Sequence, residues 1–344
     1  MIEKRDVLVI GGGISGITVA SELAQNGIST TLIERESSLG GLSASFCCKA
    51  SESCNKCFAC VVDKRLSEIR QQQKISVLTK TELASMKGNS GEYLVSLKRE
   101  KERINLEVSA IVIAAGVDPY DASQKVEYGY SRFKNVITAK DLDEMLRYRG
   151  KLFRPSDGKL PKTVAFFQCV GSRDESIGNL YCSQVCCAYA LRLIKAIRHQ
   201  YPEVKVTFLY MDIQPAGTNF QQFLNSCRGD KGIRFIRSLP SKVYHSAVSD
   251  HLRVRFTDPE VGDVVEESFE LIVLSVGMTL RKEAKSLIGL FGLTLTEDGF
   301  FASPSPQTGI FITGACSGPK DIDRSILHAK STAFLVQQHL KGES

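Results

Sequence analysis

A glycine-rich turn near the start of the chain constrains its fold more than any other feature. Residues 6–10 are almost entirely apolar, and they lead directly into the spacing Gly-x-Gly-x-x-Gly at Gly11, Gly13 and Gly16. Apolar residues then recur at helical spacing over 17–26, and a second apolar strand is predicted at 30–33. This order of strand, tight turn, helix and strand predicts a parallel βαβ unit and therefore an α/β fold.

The same glycines predict a binding site for a dinucleotide. The first permits a tight turn, the second lets the backbone approach a pyrophosphate, and the third allows the helix and the strand to pack closely. The phosphates would lie at the helix N-terminus, where N–H groups are unpaired. Glu34 ends the second strand 18 residues after Gly16, where an acidic group binds a ribose hydroxyl. A glycine turn without a nucleotide is the alternative interpretation.

The length of 344 residues predicts two domains. The composition changes to Pro, Gly, Ser, Asp and Lys around 154–162, which favours a linker. A second α/β unit is predicted after it, with a strand at 163–168 and a helix at 182–200. A last helix is predicted at 324–339, with five side chains available for packing: Ile326, Leu327, Ala329, Ala333 and Phe334. We therefore expect a discontinuous first domain formed by residues 1–150 and 281–344, and a second domain inserted at 151–280.

Composition and charge exclude several classes of protein. The surplus of 44 Lys and Arg over 38 Asp and Glu is spread along the chain, so a nucleic acid partner is not expected. No apolar run approaches the ~20 residues that a membrane span requires. Met1–Asp6 lead at once into the first strand, which leaves no room for a secretory signal. We expect a cytoplasmic protein.

Eleven cysteines are many for a chain of this kind, and nine of them fall in two groups. The first cysteine group is Cys47, Cys48, Cys54, Cys57 and Cys60. The second cysteine group is Cys169, Cys182, Cys186 and Cys187.

The second cysteine group predicts a metal or cluster site. Cys169 ends a predicted strand, at the edge where open α/β sheets bind ligands. On the predicted helix, Cys182 and Cys186 lie about 40° apart and Cys187 about 100° further round. The four thiolates therefore converge only if the helix start is irregular or the ligand lies over its end. A 4Fe-4S cluster suits such a set, whereas the paired knuckles that are usual for zinc are missing. Buried structural cysteines are the remaining alternative.

Three segments resemble flavoproteins with two dinucleotide-binding domains, such as thioredoxin reductase. Residues 7–41 resemble their FAD-binding fingerprint, 111–116 (Ile-Val-Ile-Ala-Ala-Gly) their second motif, and 309–314 (Gly-Ile-Phe-Ile-Thr-Gly) their C-terminal flavin segment. The resemblance implies a discontinuous FAD domain with an inserted Rossmann-like domain. Ala315 stands where most relatives have an acidic residue, so Asp321 or Asp323 would have to supply that contact to the flavin.

The inserted domain of such flavoproteins usually carries a second glycine fingerprint for NAD(P)H. This chain has Gln168-Cys169-Val170-Gly171-Ser172-Arg173 there, with a single glycine. Without the other glycines the backbone cannot approach a pyrophosphate closely. We therefore do not expect direct binding of NAD(P)H.

The second cysteine group also resembles the cluster motif of the A subunit of heterodisulfide reductase. The matching residues are 169–175 (Cys-Val-Gly-Ser-Arg-Asp-Glu) and 181–189 (Tyr-Cys-Ser-Gln-Val-Cys-Cys-Ala-Tyr), and 318–322 (Gly-Pro-Lys-Asp-Ile) resemble a flavin-contact motif of that family. The resemblance implies that the second cysteine group holds a 4Fe-4S cluster near FAD. Together, the two resemblances assign the following residues to FAD: Gly11, Gly13, Ile14, Ser15, Gly16, Glu34, Arg35, Gly40, Gly41, Leu42, Ala115, Gly116, Gly314, Ala315, Lys320, Asp321 and Ile322.

The resemblance also implies partners. The chain lacks the N-terminal extension and the ferredoxin modules of the larger family members, so electron bifurcation is not expected. This compact form is similar to the A subunit of the sulfur-oxidising heterodisulfide-reductase-like complex. That similarity implies partner subunits of the B and C types and a sulfur substrate bound to lipoate, and the architecture favours a homodimer.

The first cysteine group leaves alternatives open. Cys54, Cys57 and Cys60 have ferredoxin-like spacing, but no fourth cysteine follows, so Cys47 or Cys48 would have to complete a second cluster site. A redox-active thiol pair beside the flavin and cysteines without a ligand are the other two possibilities.

These observations support three hypotheses about function. The first is an oxidoreductase subunit that transfers electrons between FAD and an iron–sulfur cluster. The second is a free-standing NAD(P)H-dependent disulfide oxidoreductase that uses thiols within residues 47–60. The third is a metal-binding scaffold whose nucleotide fold no longer binds a nucleotide.

Overall fold

The protein is described by a computed structural model that covers residues 3–89, 91–214, 220–246 and 250–342. The strands are β1 (Glu3–Ile10), β2 (Thr30–Ile33), β3 (Ile75–Leu78), β4 (Thr81–Asn89), β5 (Glu92–Arg99), β6 (Glu102–Ile113), β7 (Val117–Pro119), β8 (Val136–Thr138), β9 (Thr163–Val170), β10 (Lys205–Leu209), β11 (Ile233–Ile236), β12 (Lys242–His245), β13 (Leu252–Asp258), β14 (Asp263–Phe269), β15 (Leu271–Val276), β16 (Met278–Leu280) and β17 (Ile310–Ile312). The α-helices are α1 (Ile14–Gln25), α2 (Ala59–Ile69), α3 (Ala139–Arg149), α4 (Cys186–Gln200), α5 (Phe220–Arg228), α6 (Ser286–Phe291) and α7 (Ile322–Lys341).

The chain forms two compact units. Unit 1 comprises Met1–Ala44, Phe58–Asp118 and Thr279–Ser344. Unit 2 comprises Ser45–Cys57 and Pro119–Met278. Both are α/β units, so the predicted fold class is confirmed.

Unit 1 is built on a mixed sheet in the order β3-β2-β1-β6-β5-β4, with β17 also paired to β6. The pairs among β3, β2, β1, β6 and β17 are parallel, whereas β4, β5 and the first half of β6 are antiparallel. The last four residues of β1 are buried, as expected for a parallel strand covered on both faces. Helices α1 and α7 cover one face, where Ile17, Leu23 and Ala329 pack against Val9 and Val112.

The predicted βαβ unit is confirmed, with small shifts at its ends. Helix α1 begins at Ile14 rather than at residue 17, because Gly13 is its N-cap. Strand β6 pairs with β5 over residues 102–108 and with β1 between residues 106 and 113, and its last three residues also pair with β17.

Helix α7 buries only some of the side chains that the sequence predicted to pack. Ala329 and Ala333 are buried as expected. Leu327 and Phe334 were expected to pack as well, but they are 70% and 59% exposed. The two lie seven residues apart on one face, and α7 packs against α1 through its small residues instead. No helix in the described ranges is long and apolar enough to cross a membrane.

Unit 2 is built on a parallel five-stranded sheet in the order β11-β10-β9-β15-β8. Helices α3, α4 and α5 pack on one face, where Leu142, Leu191 and Leu224 share a core with Phe166. The antiparallel strands β12, β13 and β14 pack on the other face. This is the Rossmann-like second unit that the sequence predicted.

The units divide at residues other than the expected 1–150, 151–280 and 281–344. The chain leaves unit 1 at Asp118, because β8 pairs with β15 and α3 packs into the core of unit 2. The segment Ser45–Cys57 also belongs to unit 2. The predicted linker at 154–162 is instead a closed loop within unit 2, in which the Arg154 guanidinium pairs with Asp157 and Arg154 N–H donates to Lys159 O.

Candidate functional site

The residues predicted to bind FAD lie in unit 1, most of them at one edge of its sheet. Strands β1, β2, β6 and β17 run parallel, so their C-terminal ends meet at the same edge. The loops that follow these strands contain the glycine turn, Glu34, Ala115-Gly116 and Gly314-Ala315. Open α/β sheets bind their ligands at this edge.

The glycine turn has the backbone geometry that the sequence predicted. Gly11 has φ +108°, and a Cβ there would overlap Ala114 O. A Cβ at Gly16 would overlap Gly11 O. By contrast, no described atom lies within 4 Å of a Cβ built at Gly13, and no described side chain caps α1. The space beside Gly13 and the N-terminus of α1 is therefore open to a ligand.

Glu34 is buried and joins the glycine turn to the end of β2. Its Oε2 accepts the Gly12 N–H at 2.7 Å and its Oε1 accepts the Glu36 N–H at 2.9 Å. A carboxylate has about four acceptor positions. Two therefore remain for the hydroxyls of a ribose.

The second glycine pair packs directly on the first turn. Gly40 N–H donates to Gly12 O at 2.7 Å, and a Cβ at Gly41 would lie 3.1 Å from the Gly13 Cα. Gly314 similarly packs on Ser15, whose Oγ a Cβ at Gly314 would overlap. Leu42 lies in the short 3-10 helix Gly41–Ser45.

Cys316 and His328 belong to this edge, although the sequence analysis did not assign them to it. The Cys316 thiol is fully buried and donates to Thr313 O at 3.1 Å. Burial raises the pKa of Cys316 to about 11. The Gly116 and Ala115 N–H groups that contact the sulfur lower this pKa, but by less than burial raises it. His328 Nδ1 accepts the Gly314 N–H at 3.2 Å.

The last predicted flavin residues surround the start of α7. Lys320 Nζ donates to Ser317 Oγ at 3.0 Å, and burial lowers the pKa of Lys320. Asp321 caps α7, since its Oδ1 accepts the Arg324 N–H at 2.8 Å, and Ile322 begins the helix. The cap uses only Oδ1 of Asp321, so the supply of the missing acidic contact by Asp321 or Asp323 stays a prediction.

Arg35, also assigned to the flavin, forms an ion pair with Glu283. Its Nη1 lies 3.1 Å from Glu283 Oε2. The residues of unit 1 fit a bound dinucleotide on two observations. The space beside Gly13 is unfilled by described atoms, and the buried Glu34 carboxylate retains accepting capacity.

Three members of the second cysteine group meet at the C-terminal edge of the unit 2 sheet. Cys169 is the next-to-last residue of β9 and has φ +59°, and Cys186 and Cys187 begin α4. All three are buried and form one cluster. Cys182 is half-buried, and its Sγ accepts the Gln184 N–H at 3.3 Å.

The predicted helical relation between Cys182 and Cys186 was wrong. Gln184 has φ +58° and α4 begins only at Cys186, so residues 182–185 are not helical. The irregular helix start, which was one of the two conditions for convergence, is therefore present.

The three buried sulfurs form a hydrogen-bonded set. Bonds from Cys169 and Cys187 hold the pKa of the Cys186 thiol well below its usual range. The bond to Cys186, together with burial, raises the pKa of Cys169 and of Cys187. Burial also raises the pKa of Cys182. The set thus favours a thiolate at Cys186.

Two residues close in sequence to Cys169 have a buried polar atom without a partner. Gln168 Oε1 and Ser172 Oγ are buried and have no hydrogen-bond partner among the described residues. Within those residues, no three His, Cys, Asp or Glu side chains are arranged to hold one metal ion. A cluster differs from a single ion because each thiolate binds its own iron. The donor set of four cysteines therefore fits an iron–sulfur cluster better than zinc.

The features of a second dinucleotide site are replaced in unit 2. The turn after β9 has one glycine, and the buried Cys186 and Cys187 begin the helix at which a pyrophosphate would bind. Asp212 follows β10, where an acidic residue would bind a ribose, but it forms an ion pair with Arg173.

The first cysteine group is divided between the units. Cys47, Cys48, Cys54 and Cys57 lie in the segment Ser45–Cys57 of unit 2, which we name the cysteine segment. Cys60 lies on α2 in unit 1. Burial raises the pKa of Cys47 to about 12.

The cysteine segment is attached to unit 2 by a buried network that the sequence analysis missed. Lys49 and Asp143 are almost fully buried, and Asp143 Oδ1 also accepts the Cys47 N–H at 2.7 Å. Tyr189 of α4 donates its hydroxyl to Asp143 Oδ2 at 2.7 Å. A signal was present, because Asp143 occupies an apolar-face position of α3, beside Leu142.

The fold and the site define a class of oxidoreductase that has two α/β units. In the described residues, unit 1 carries the glycine turn suited to a dinucleotide. A family model for pyridine nucleotide-disulphide oxidoreductases matches residues 5–332, and the chain belongs to this family. The predictions of an oxidoreductase and of a flavoprotein fold suited to FAD are confirmed by this membership.

The expected resemblance to the A subunit of heterodisulfide reductase is also confirmed. The iron-sulfur A subunit of a CoB–CoM heterodisulfide reductase from Methanopyrus kandleri is 31% identical over 95% of this chain and 63% of that protein. The A subunit of the ferredoxin/F420H2-dependent CoB–CoM heterodisulfide reductase from Methanosarcina acetivorans is 30% identical over 98% of this chain and 53% of that protein. The chain thus spans between about half and two thirds of the length of these relatives.

Solved structures with a similar fold include disulfide reductases. The thioredoxin reductase of T. acidophilum has a TM-score of 0.64 and 15% identity, with 99% of this chain and 100% of that chain covered. The bacillithiol disulfide reductase of Bacillus cereus has a TM-score of 0.60 and 14% identity, with the same coverage. The predicted thioredoxin-reductase-like architecture is confirmed.

Proposed function

We propose that this protein is an electron-transfer subunit that binds FAD in unit 1 and a 4Fe-4S cluster in unit 2. The observation that carries the proposal is the meeting of Cys169, Cys186 and Cys187 at the ligand-binding edge of a Rossmann-like sheet. The relatives whose names include an iron-sulfur subunit support the same cofactor set. The cysteines take the place of the glycine fingerprint that NAD(P)H would need.

In unit 1, each group of the predicted FAD-binding residues has a separate role. The N-terminus of α1 and Gly13 would hold the pyrophosphate of FAD, and Glu34 would accept hydrogen bonds from its ribose. Lys320 would place a positive charge at the flavin end of the site. Ala115-Gly116 and Gly314-Ala315 would line the remaining length of the cofactor.

In unit 2, Cys169, Cys182, Cys186 and Cys187 would supply the four thiolates. The buried position of three of them would exclude water from the cluster. FAD exchanges two electrons and passes them singly, whereas a 4Fe-4S cluster exchanges one at a time. The protein's own part is binding, orientation and electrostatic control, so the proposal needs no acid or base.

The finer parts of the proposal concern partners and substrate. The names of the relatives describe subunits of heterodisulfide reductases, and we propose a complex with subunits of the B and C types and a homodimer of this chain. The similarity to the sulfur-oxidising complex favours lipoate-bound sulfur as the substrate. Nine of the eleven cysteines fall in two groups, and grouped thiols that bind metal or take part in redox chemistry are typical of a reducing compartment such as the cytoplasm.

For the first cysteine group we propose no single role: a second cluster, a redox-active thiol pair and cysteines without a ligand are the three alternatives. The cofactor content of the purified protein distinguishes one cluster from two.

The test is the iron, acid-labile sulfide and flavin content of protein purified without oxygen. One cluster requires about four iron and four sulfide per FAD, and two clusters require about eight of each. Cys186→Ala should remove the iron of the unit 2 site and leave FAD bound, because the two sites lie in separate units. Cys227→Ala is the matched control, since Cys227 is buried in the helical core of unit 2.

Three results would contradict the proposal. Yellow protein without iron that is bleached by NADH would favour the free-standing disulfide oxidoreductase. Colourless protein would favour the metal-binding scaffold. Unchanged iron in Cys186→Ala would place the cluster elsewhere.

A further inference from the structure

The loop between β9 and α4 holds one cationic residue, Arg173, in a fixed place. Arg173 has φ +54°, and its N–H donates to Tyr181 O at 3.0 Å. On the next residue, Asp174 N–H donates to Asn179 O at 2.9 Å, and Lys125 Nζ pairs with the Asp174 carboxylate at 2.5 Å. A non-glycine residue in the left-handed region is strained, so it persists only where its surroundings hold it there.

The guanidinium of Arg173 forms an ion pair with the carboxylate of Asp212. Asp212 is itself next to the second cysteine group, because its backbone carbonyl accepts the Cys187 thiol at 3.8 Å. The Arg173 guanidinium holds the pKa of the Asp212 carboxyl below its usual range. Arg237 adds a second positive charge near Asp212, and its Nε donates to Met211 O at 2.9 Å.

The fold brings this ion pair to the second cysteine group. Arg173 lies four residues after Cys169 in the loop that follows β9, and the Asp212 carbonyl contacts the Cys187 thiol. The ion pair therefore places a positive and a negative group at the edge where the cysteines meet.

We propose that the Arg173–Asp212 ion pair sets the reduction potential of the group held by the second cysteine group. This inference rests on the proposed function, because it assumes a cluster on these cysteines. Arg173 and Asp212 are positioning residues, since neither supplies a ligand. Their positions in the fold are those at which a dinucleotide-binding unit contacts its nucleotide, after β9 and after β10.

The direction of each effect follows from charge. Each electron that enters a thiolate-bound cluster adds negative charge, and a nearby cation stabilises the reduced form. Removing the charge of Arg173 lowers the potential. Removing the charge of Asp212 leaves Arg173 uncompensated and raises it.

The experiment is an anaerobic redox titration of the full chain with its cofactors, followed by the EPR signal of the reduced cluster. Arg173→Gln should shift the equilibrium constant for reduction about tenfold towards the oxidised form, which is about 59 mV for one electron. Asp212→Asn should shift it by a similar factor in the opposite direction. Arg173→Lys keeps the charge and should keep the potential within about threefold of the wild-type equilibrium constant.

A matched ion pair at the other end of α4 supplies the control. Arg198 pairs with Asp230 at 2.8 Å, and Arg198 lies 11 residues beyond Cys187, or about 16 Å along the helix. At that distance salt screens most of the interaction. Arg198→Gln should leave the potential unchanged.

The outcomes separate this inference from the function on which it rests. Wild-type protein without iron or a reduced-cluster signal overturns the proposed function. A full iron content with equal potentials in the wild type, Arg173→Gln and Asp212→Asn overturns the inference alone. Potentials that shift in the same direction in Arg173→Gln and Asp212→Asn also overturn the inference. An effect of charge has opposite signs in the two variants, whereas a general loss of structure has the same sign in both.

Discussion

Lys49 Nζ lies 2.6 Å from Asp143 Oδ2, and both side chains are buried. The two residues are 94 positions apart in the chain. Lys49 also lies over the rings of Phe46 and Tyr189, at 5.3 and 5.1 Å from their centroids. Since Tyr189 follows Cys186 by about one turn of α4, the ion pair attaches the cysteine segment to the helix that carries part of the second cysteine group.

Replacing Lys49 should destabilise unit 2. In Lys49→Met the Asp143 carboxylate stays buried without its cation, which costs about 3–5 kcal/mol. Denaturant unfolding measures the loss, and alkylation of Cys47 and Cys48 followed by mass spectrometry should show faster labelling.

The control for Lys49→Met is Lys80→Met. Lys80 pairs with Glu100 at 3.0 Å on the surface of unit 1, where both side chains are more than half exposed. Its loss should cost far less than the loss of Lys49, because both charges of the surface pair are already solvated. Equal losses of unfolding free energy in the two variants would contradict the inference that the buried Lys49–Asp143 pair stabilises the protein more than a surface pair does.

Adding a methyl group at Gly13 should weaken FAD binding without unfolding unit 1. Gly13 has φ −75°, which any residue adopts, and no described atom lies within 4 Å of its Cβ position. In Gly13→Ala the methyl group occupies the space that the pyrophosphate needs, at a cost of about 1–3 kcal/mol, or about fivefold to 160-fold in affinity. Flavin content and fluorescence titration with FAD measure the change.

Gly289→Ala is the matched variant for Gly13→Ala. A Cβ at Gly289 also meets no described atom within 4 Å, but Gly289 lies on α6. Its FAD affinity should equal that of the wild type. Normal FAD binding by Gly13→Ala would exclude this turn as the pyrophosphate site.

His328 should make the stability of unit 1 depend on pH. Burial, with a smaller effect of Lys320, lowers the pKa of His328 from its ordinary value of 6.5. Below about pH 6.5 the unfolded chain binds a proton that the folded chain does not, so the free energy of unfolding falls as the pH falls. The slope is less than about 1.4 kcal/mol per pH unit, the limit for one proton, because His328 is only half-buried.

His328→Asn should reduce that dependence. Unfolding measured between pH 5 and pH 7.5 should give a shallower slope for the variant than for the wild type. A slope that is unchanged, or a wild type that becomes more stable as the pH falls through this range, would contradict the assignment.

Sequence patterns predicted the features that depend only on residues close together in the chain. Gly11 and Gly16 were predicted to allow close approach, and a Cβ at either position would overlap a backbone oxygen. Glu34 was predicted at the end of β2 because strand length and motif spacing fix its place within a few residues. The start of α4 was predicted four residues too early. Gln184 has a left-handed backbone conformation that interrupts the helix, and the spacing of apolar residues does not reveal it.

Contacts between distant segments were not predictable in the same way. Strand β8 has only three residues, and its membership of unit 2 depends on pairing with β15, more than 130 positions later. The sequence places Arg173 four residues after Cys169 but does not identify its partner. Its pairing with Asp212 beside Cys187 became visible only when β9 and β10 lay side by side.

The amino-acid sequence alone determined the βαβ start, the glycine cradle and the residue types of the second cysteine group, because each depends on neighbours within a few turns. Only the tertiary structure decided that the cysteine segment belongs to unit 2 and that Lys49 meets Asp143. A buried charge is stable only beside its partner. Which partner is in reach depends on chain segments that folding brings together from far apart.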